Sequence, residues 1–261
     1  MRIFGYCITF VDDVDVLPNC LSSLARIPVD KIVVVDGGLD HAMMHHQRNF
    51  KPIQEWILSR DECETIGCNG MISEYRWGGV PLVILENTMV SPGGQRNYAL
   101  NWIDSQSDRP DWVVALDADE VESSEAESGM RDYLESLSED TTNVVQPLLN
   151  LLQDEEHYAM GPHSSWLSHS RLHRTGSVSY SNQWHEHQNY VGNRARWDAR
   201  IIHTRMLFRR RLWIQRNAHT IRSAWKDVEI GPIPDGIDWY PFEWPAGERV
   251  ILFDEDVRQY E

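Results

Sequence analysis

Long apolar runs are missing from this chain of 261 residues. A membrane-spanning helix needs roughly 18 or more consecutive apolar residues, and no stretch approaches that length. The first ten residues also lack the charged and apolar regions of a signal peptide, and they resemble a first strand instead. We therefore expect a cytoplasmic protein, whose hydrophobic content of 41% is enough for a sizeable core.

Cysteine is scarce and follows no regular spacing. The chain contains Cys7, Cys20, Cys63 and Cys68. The first two stand in apolar surroundings, which favours reduced core side chains over a disulfide framework. The last two could form a zinc site with the histidines at positions 41, 45 and 46, but their spacing matches no standard zinc pattern. A structural role for the cysteines is the preferred interpretation.

Basic residues are outnumbered, with 24 Lys and Arg against 40 Asp and Glu and a net charge of −16. This balance argues against a protein that coats nucleic acid in general. Ten basic residues nevertheless lie between Arg194 and Lys226, where Asp198 is the only acid. Such clustering predicts one face that meets an anion: a phosphorylated or lipid-linked saccharide, a membrane surface, or DNA with a hydroxylated base. Alternatively, it is a solvated face that balances the acidic remainder.

The most informative stretch lies at residues 111–121. Residues 112–116 form a short apolar run that predicts a buried strand, and Asp117, Asp119 and Glu120 follow it directly. Ligands bind at the carboxyl ends of strands in open α/β sheets, and carboxylates placed there repel one another unless a positive charge lies between them. Mg²⁺ or Mn²⁺, completed by substrate phosphate oxygens, fits this pattern. The alternative is a strand followed by the acidic start of a helix.

Further elements alternate in the first half of the chain. Strands are predicted at residues 2–10, 31–35 and 81–85, and the spacing of apolar residues from Leu17 to Ile27 predicts a helix. The order strand, helix, strand implies a right-handed parallel crossover. Asp36 and Gly37 follow the second strand. There an Asp can accept hydrogen bonds from a base or ribose, although Asp-Gly-Gly is also ordinary turn chemistry.

The remaining segments are less regular. A helix is predicted at residues 53–58, a glycine-rich loop at 63–79, a helix after Ser91, and an acidic helix at 123–137. Arg96 near the start of its helix could meet a phosphate or pair with local acids. Strands are predicted at 143–152, 171–180 and 199–202, and a basic helix at 207–225. The tail from residue 231 onward is either a packed, extended arm or a mobile segment.

Four stretches, at residues 19–24, 33–40, 95–97 and 111–120, together resemble the nucleotide-sugar-binding half of family 2-type glycosyltransferases. Within that group the chain is most similar to the WaaE-type lipopolysaccharide core glycosyltransferases. The resemblance implies an α/β GT-A fold, a Rossmann-like and mostly parallel sheet flanked by helices, with a smaller C-terminal acceptor-side region. It divides the chain into a nucleotide-sugar-binding half (1–122), an acceptor-binding half of the same domain (123–228) and a C-terminal extension (229–261).

The resemblance also implies roles for individual residues. The nucleotide-sugar-binding set comprises Thr9, Asp36, Gly37, Asp40, Arg96, Asp117, Ala118 and Asp119. The metal, Mn²⁺ or Mg²⁺, would bind Asp117, Asp119 and His203, although His203 could instead be structural. Glu186, with His185 beside it, is the first candidate for the catalytic base. The alternative for that pair is a polar strand edge.

These expectations combine into a metal-dependent glycosyltransferase that moves a sugar from a nucleoside-diphosphate sugar to a hydroxyl acceptor. Inversion at the anomeric carbon is implied by resemblance alone. The Gln-x-x-Arg-Trp motif of processive family members is absent from the sequence, which argues against a polymer synthase. A nucleotidyltransferase and a non-catalytic nucleotide-sugar-binding protein are the two alternatives from other classes.

Overall fold

The computed structural model describes residues 1–10, 13, 16–37, 51–60, 63–69, 72–87, 91–151, 157–160, 170–181, 188–204, 229–233, 235 and 237. Within these ranges the helices are α1 (Leu17–Arg26), α2 (Lys51–Leu58), α3 (Pro92–Asp104) and α4 (Ser124–Ser136). The strands are β1 (Ile3–Thr9), β2 (Lys31–Asp36), β3 (Cys63–Asn69), β4 (Ile72–Trp77), β5 (Val80–Glu86), β6 (Trp112–Asp117), β7 (Glu120–Glu122), β8 (Thr141–Val145), β9 (Leu148–Asn150), β10 (His157–Met160), β11 (Ser170–Arg174), β12 (Val178–Tyr180), β13 (Gln188–Tyr190), β14 (Asn193–Arg196), β15 (Ile201–His203) and β16 (Glu229–Pro232).

A nine-stranded sheet organises the molecule, in the order β14-β8-β11-β6-β1-β2-β5-β4-β3. Its central strands β6, β1, β2 and β5 are parallel to their neighbours in this group. Antiparallel pairs lie toward both margins, where β11 joins β6 and β4 joins β5. The predicted α/β class with a parallel centre is therefore confirmed.

Apolar side chains on both faces of the central strands explain this layering. β1 is buried along its whole length, as expected for a strand covered on both sides. One face packs against α1 and α4 through residues such as Leu21 and Met130. The other face packs against α3 through Ala99 and Ile103. The result is a sheet between two helical layers, with its strand ends left to form a site.

The glycine-rich segment at residues 63–79 is not a loop, and that prediction is wrong. It forms the hairpin of β3 and β4, which extends the sheet beyond β5. Tyr75 and Trp77 alternate with exposed residues and bury against the core, which is strand periodicity. Gly78 and Gly79 connect β4 to β5 with φ angles of +54° and +84°, the conformation that a two-residue hairpin turn requires.

Two predicted strands are each divided in the structure. The segment at 143–152 becomes β8 and β9, separated at Pro147, which has no N–H to donate to a ladder. The segment at 171–180 becomes β11 and β12, separated by a turn in which Gly176 has a φ of +79°. Glu120 begins a strand, β7, and α4 starts only after its cap Ser123, so the alternative of an immediate helix start is wrong.

Several predictions lie outside the described residues, among them the basic helix at 207–225 and most of the arm from residue 231 onward. In the part of the chain that the structure describes, every helix is too short or too polar to cross a membrane. Strands β8, β11 and β14 of the second half join the main sheet, so the two predicted halves share one framework.

Candidate functional site

The carboxyl ends of three neighbouring parallel strands meet at one edge of the main sheet. Thr9 ends β1 and lies opposite Asp36, the last residue of β2. Asp117 ends β6 and lies opposite Ile8 of β1. The predicted residues from three separate stretches are therefore adjacent, at the edge where α/β proteins bind ligands.

A second, three-stranded sheet brings His203 to the same place. Its order is β7-β15-β9, and its register sets His203 opposite Glu120 on one side and Asn150 on the other. The backbone N–H and the hydroxyl of Thr204 both donate to the carbonyl oxygen of Asp119, at 2.8 and 2.9 Å. This small sheet fixes the backbone of Asp119 beside the end of β15.

The side chains of Asp119 and His203 face each other. Nε2 of His203 lies 3.5 Å from Oδ1 of Asp119, and its Nδ1 lies 2.5 Å from Oδ1 of Asn150. The contact with Asn150 holds the imidazole so that Nε2 is directed toward Asp119. A carboxylate oxygen and an imidazole nitrogen therefore lie side by side, and the amide of Asn150 orients the imidazole.

Asp117 is held differently, because two buried arginines bind it. Arg96 of α3 contacts Oδ1, and Nη2 of Arg171 of β11 lies 3.1 Å from Oδ2. The same Nη2 lies 2.5 Å from Oε1 of Glu120. The backbone N–H of Asp117 donates to the other carboxylate oxygen of Glu120 at 2.9 Å. The turn from Asp117 to Glu120 is therefore closed by a buried ion network.

The electrostatics of this network keep Asp117 and Arg171 charged. Burial by itself would raise the pKa of Asp117, but Arg96 and Arg171 outweigh it and hold that pKa below its ordinary range. Burial would lower the pKa of Arg171, but Glu120 and Asp117 outweigh it and raise that pKa. Burial raises the pKa of Glu120, and Arg171 opposes this rise. Asp117 and Arg171 are consequently ionised at neutral pH.

The ends of β1 and β2 lie beside a tightly packed glycine. Asp36 is fully buried, and the N–H of Gly37 donates to the carbonyl of Thr9 at 3.3 Å. A Cβ atom at Gly37 would lie only 2.2 Å from Nε2 of Gln95, a fully buried side chain on α3. Neither amide atom of Gln95 has a hydrogen-bond partner among the described residues. A side-chain amide therefore packs directly against Gly37.

The start of α3 explains where Arg96 is placed. Ser91 caps the helix, and its hydroxyl accepts a hydrogen bond from the N–H of Gly94 at 3.1 Å. One turn later Arg96 points inward, with only 3% of its surface exposed, and lies 5.4 Å from the ring of Tyr180. Arg96 therefore pairs with an acid, and that acid is the predicted metal ligand Asp117.

The residues present can be compared with the needs of a divalent cation. Among the described residues, no group of three or more His, Cys, Asp and Glu side chains forms a ready metal cage. Mg²⁺ is usually bound by one or two carboxylates, with phosphate oxygens and water completing its shell. Asp119 and His203 fit such a partial set. Both oxygens of Asp117 are engaged by guanidinium groups, so Asp117 fits a supporting position better than a ligand position.

Sequence reasoning missed three members of the site: Arg171, Asn150 and Thr204. None of them belongs to a local motif, and Arg171 is 54 residues away from Asp117 in the chain. Asp40, His185 and Glu186 lie outside the described residues. Ala118 lies buried between the two aspartates.

No protein-family model matches this chain, and no curated protein matches it. Among solved structures it is similar to Staphylococcus aureus TarS, residues 1–349, with a TM-score of 0.46 and 12% sequence identity. The similarity covers 86% of this chain and 64% of that one. The chain therefore spans less than two thirds of the length of the structure it matches.

Proposed function

We propose that this protein is a metal-dependent glycosyltransferase that moves a sugar from a nucleoside-diphosphate sugar to a hydroxyl acceptor. One observation carries the proposal: Asp119 and His203 face each other, 3.5 Å apart, beside the converging ends of β1, β2 and β6. An oxygen and an imidazole ligand at that edge suit a cation whose remaining ligands are diphosphate oxygens.

The donor's nucleoside would lie over the neighbouring strand ends. Asp36 would accept hydrogen bonds from the base or ribose, as carboxylates do at this position in α/β folds. Thr9 and Gly37 would lie beneath the nucleoside. The backbone N–H of Gly37 donates to the carbonyl of Thr9 and holds the two residues together. Asp36 would then contact the nucleoside of the donor, and Asp119 would hold the cation that binds its diphosphate.

In the transfer, the bond between the anomeric carbon and the diphosphate oxygen breaks, and a bond to the acceptor oxygen forms. The nucleoside diphosphate leaves with its electron pair, and a divalent cation on Asp119 and His203 would offset that charge. The acceptor's proton passes to a base, for which Glu186 with His185 remains our candidate by resemblance. Family 2 membership and an inverting course belong to the same proposal.

We also propose an anionic acceptor, such as a phosphorylated saccharide or DNA. In the described part of the basic segment, Arg194 and Arg196 are exposed on β14, and Arg194 lies 4.0 Å over the ring of Tyr190. Arginine contacts to phosphate make binding weaken with added salt. Acceptor binding that is insensitive to salt would contradict this part.

The metal assignment is tested by thermal shift with a panel of nucleotide sugars, each with and without Mn²⁺. A true donor near 100 times its Kd should raise the Tm by roughly 5 °C or more, and only with Mn²⁺. Asp119→Asn should abolish the Mn²⁺-dependent part, whereas Asp132→Asn on the exposed face of α4 should not. A normal response from Asp119→Asn would refute the assignment.

The nucleotide side is tested with a matched pair of glycine variants. Gly37→Ala should weaken donor binding about tenfold or more, because its Cβ displaces the buried Gln95 amide. Gly67→Ala meets no atom within 4 Å in the described part of the chain and should bind like wild type. Mass spectrometry of the product then separates the reactions: transferred sugar supports our proposal, and transferred nucleotide with released pyrophosphate supports a nucleotidyltransferase.

A further inference from the structure

Arg171 is a buried cation in the acidic turn, and neither its position nor its partners follow from any local motif. It is 5% exposed, and it reaches the turn from β11 in the second half of the chain. Its Nη2 contacts Asp117 at 3.1 Å and Glu120 at 2.5 Å. A positive charge therefore already lies between two of the carboxylates that a divalent cation would seek.

Arg171 and its neighbours withhold two carboxylates from a metal. Asp117 has one oxygen on Arg96 and the other on Arg171. Glu120 has one oxygen on Arg171 and the other on the backbone N–H of Asp117. One oxygen of Asp119 faces the imidazole of His203. An incoming cation meets one carboxylate and one imidazole, close to two buried guanidinium groups.

We propose that Arg171 is a resident counter-ion that keeps metal affinity low until the donor's diphosphate arrives. This inference rests on the proposed function. Arg96 and Arg171 neutralise Asp117 and Glu120, so a divalent cation meets less negative charge in a partly buried site, where charges are weakly screened. The diphosphate brings negative charge and further oxygen ligands, so metal and donor enter as a pair.

A purely structural role for Arg171 predicts the opposite effect. If Arg171 only braced the turn, its removal would loosen Asp119 and weaken metal binding. If it is a counter-ion, its removal releases the carboxylates of Asp117 and Glu120, and metal binding without donor becomes tighter. The sign of the change in Mn²⁺ affinity distinguishes the two roles.

The experiment measures Mn²⁺ binding to the full chain by electron paramagnetic resonance, with Mn²⁺ alone. We expect Arg171→Gln to bind Mn²⁺ about tenfold or more tightly than wild type. Arg171→Lys keeps the charge and should stay near wild type. Arg174→Gln is the matched control on the same strand, since Arg174 donates to Thr141 and stacks on Trp112. Unchanged or weaker Mn²⁺ binding by folded Arg171→Gln overturns the inference.

A second variant covers the case in which Arg171→Gln does not fold. The double variant Arg171→Met with Glu120→Gln removes the buried cation and one of its two anions together. It should destabilise the fold less than the single variant, which leaves a buried carboxylate without its counter-ion. Asp117 is still released, so Mn²⁺ binding should tighten about threefold or more. Binding no tighter than that of wild type would equally overturn the inference.

Failure of the proposed function gives a different result. Wild-type protein is titrated with Mn²⁺ together with UDP, GDP, CDP or ADP in turn. If none of these makes Mn²⁺ bind, the metal-dependent function itself is wrong. If one of them does and Arg171→Gln still binds Mn²⁺ alone like wild type, only the role of Arg171 is wrong.

Discussion

At the scale of single residues, burial has a large effect on the pKa of Glu122. Its carboxyl group is fully buried two residues after Glu120, and Nε2 of Gln146 donates to it at 2.9 Å. Burial raises its pKa from 4.5 to about 8, although the hydrogen bond from Gln146 acts in the opposite direction. Glu122 is therefore largely protonated in the folded protein at neutral pH.

Because the pKa of Glu122 is higher in the folded state, its contribution to stability is complete below about pH 4.5 and is lost as the pH rises to about 8. Glu122→Gln keeps a group that can pair with Gln146 and cannot ionise. We expect near-equal stabilities at pH 4.5 and a variant that is more stable at pH 8 by on the order of a few kcal/mol. Urea unfolding at both pH values measures this difference.

The matched control for this prediction is Glu135→Gln, an exposed carboxyl near the end of α4. It should leave the pH dependence of stability as in wild type. If Glu122→Gln and wild type lose stability in parallel between pH 4.5 and 8, the carboxyl of Glu122 does not titrate as its burial implies.

Whether a residue of the candidate site could be predicted depends on how far its contact partner lies from it in the sequence. Asp117 and Asp119 were predictable, because they follow a buried strand and belong to one short motif. Arg171 was not, because its partner Asp117 is 54 residues away and only the pairing of β11 with β6 brings them together. His203 was predicted, but Asn150, which orients its imidazole, needed the pairing of β15 with β9.

At the scale of elements, the small sheet β7-β15-β9 connects the two sides of the site. Thr204 directly follows β15, and both its N–H and its hydroxyl bind the carbonyl of Asp119. The side chain of Thr204 is buried, so Valine can replace it with nearly the same shape. This contact sets where the Asp119 carboxylate is presented.

Thr204→Val should lower the free energy of unfolding by about 1 kcal/mol, since the carbonyl of Asp119 keeps one of its two donors. It should also reduce the Mn²⁺-dependent thermal shift, because Asp119 is held less firmly. Thr65→Val on the exposed face of β3 provides the control. A destabilised Thr204→Val protein with an undiminished Mn²⁺ response would argue against a positioning role.

Elements were predictable where one periodicity dominated. β1, β2, β5 and β6 were expected from near-continuous apolar runs, and all four form the parallel centre of the sheet. The hairpin of β3 and β4 was mistaken for a loop, because its glycines were interpreted without the alternation of Tyr75 and Trp77. Gly78 and Gly79 supply the turn between β4 and β5, so two of the glycines that suggested irregularity join neighbouring strands of the sheet.

At the scale of the whole molecule, one sheet passes through both predicted halves. β6 is bonded to β1 on one side and to β11 on the other, so removing the second half would expose the strand that ends at Asp117. The predicted boundary after residue 122 therefore does not separate two cores. That the first half binds the donor and the second half binds the acceptor remains a prediction.

This arrangement predicts a single cooperative unfolding transition for the shared sheet. Hydrogen exchange measured by mass spectrometry across a urea series should show peptides from β1 and β11 losing protection at the same urea concentration. A peptide from α2 (Lys51–Leu58) serves as the comparison, because α2 lies outside the hydrogen-bonded sheet. Loss of protection in β11 well before β1 would mean that the halves unfold separately.

The sequence by itself determined the parallel core and the acids at the end of β6, because apolar runs and strand-end residues are local patterns that any stretch carries alone. Tertiary structure decided which side chains those acids contact. Arg96, Arg171 and His203 come from three other elements, and the packing of α3 and the pairing of β11 and β15 set their distances. Whether an acidic turn holds a metal, an arginine or both depends on those distances, since electrostatic energy follows separation in space and not along the chain.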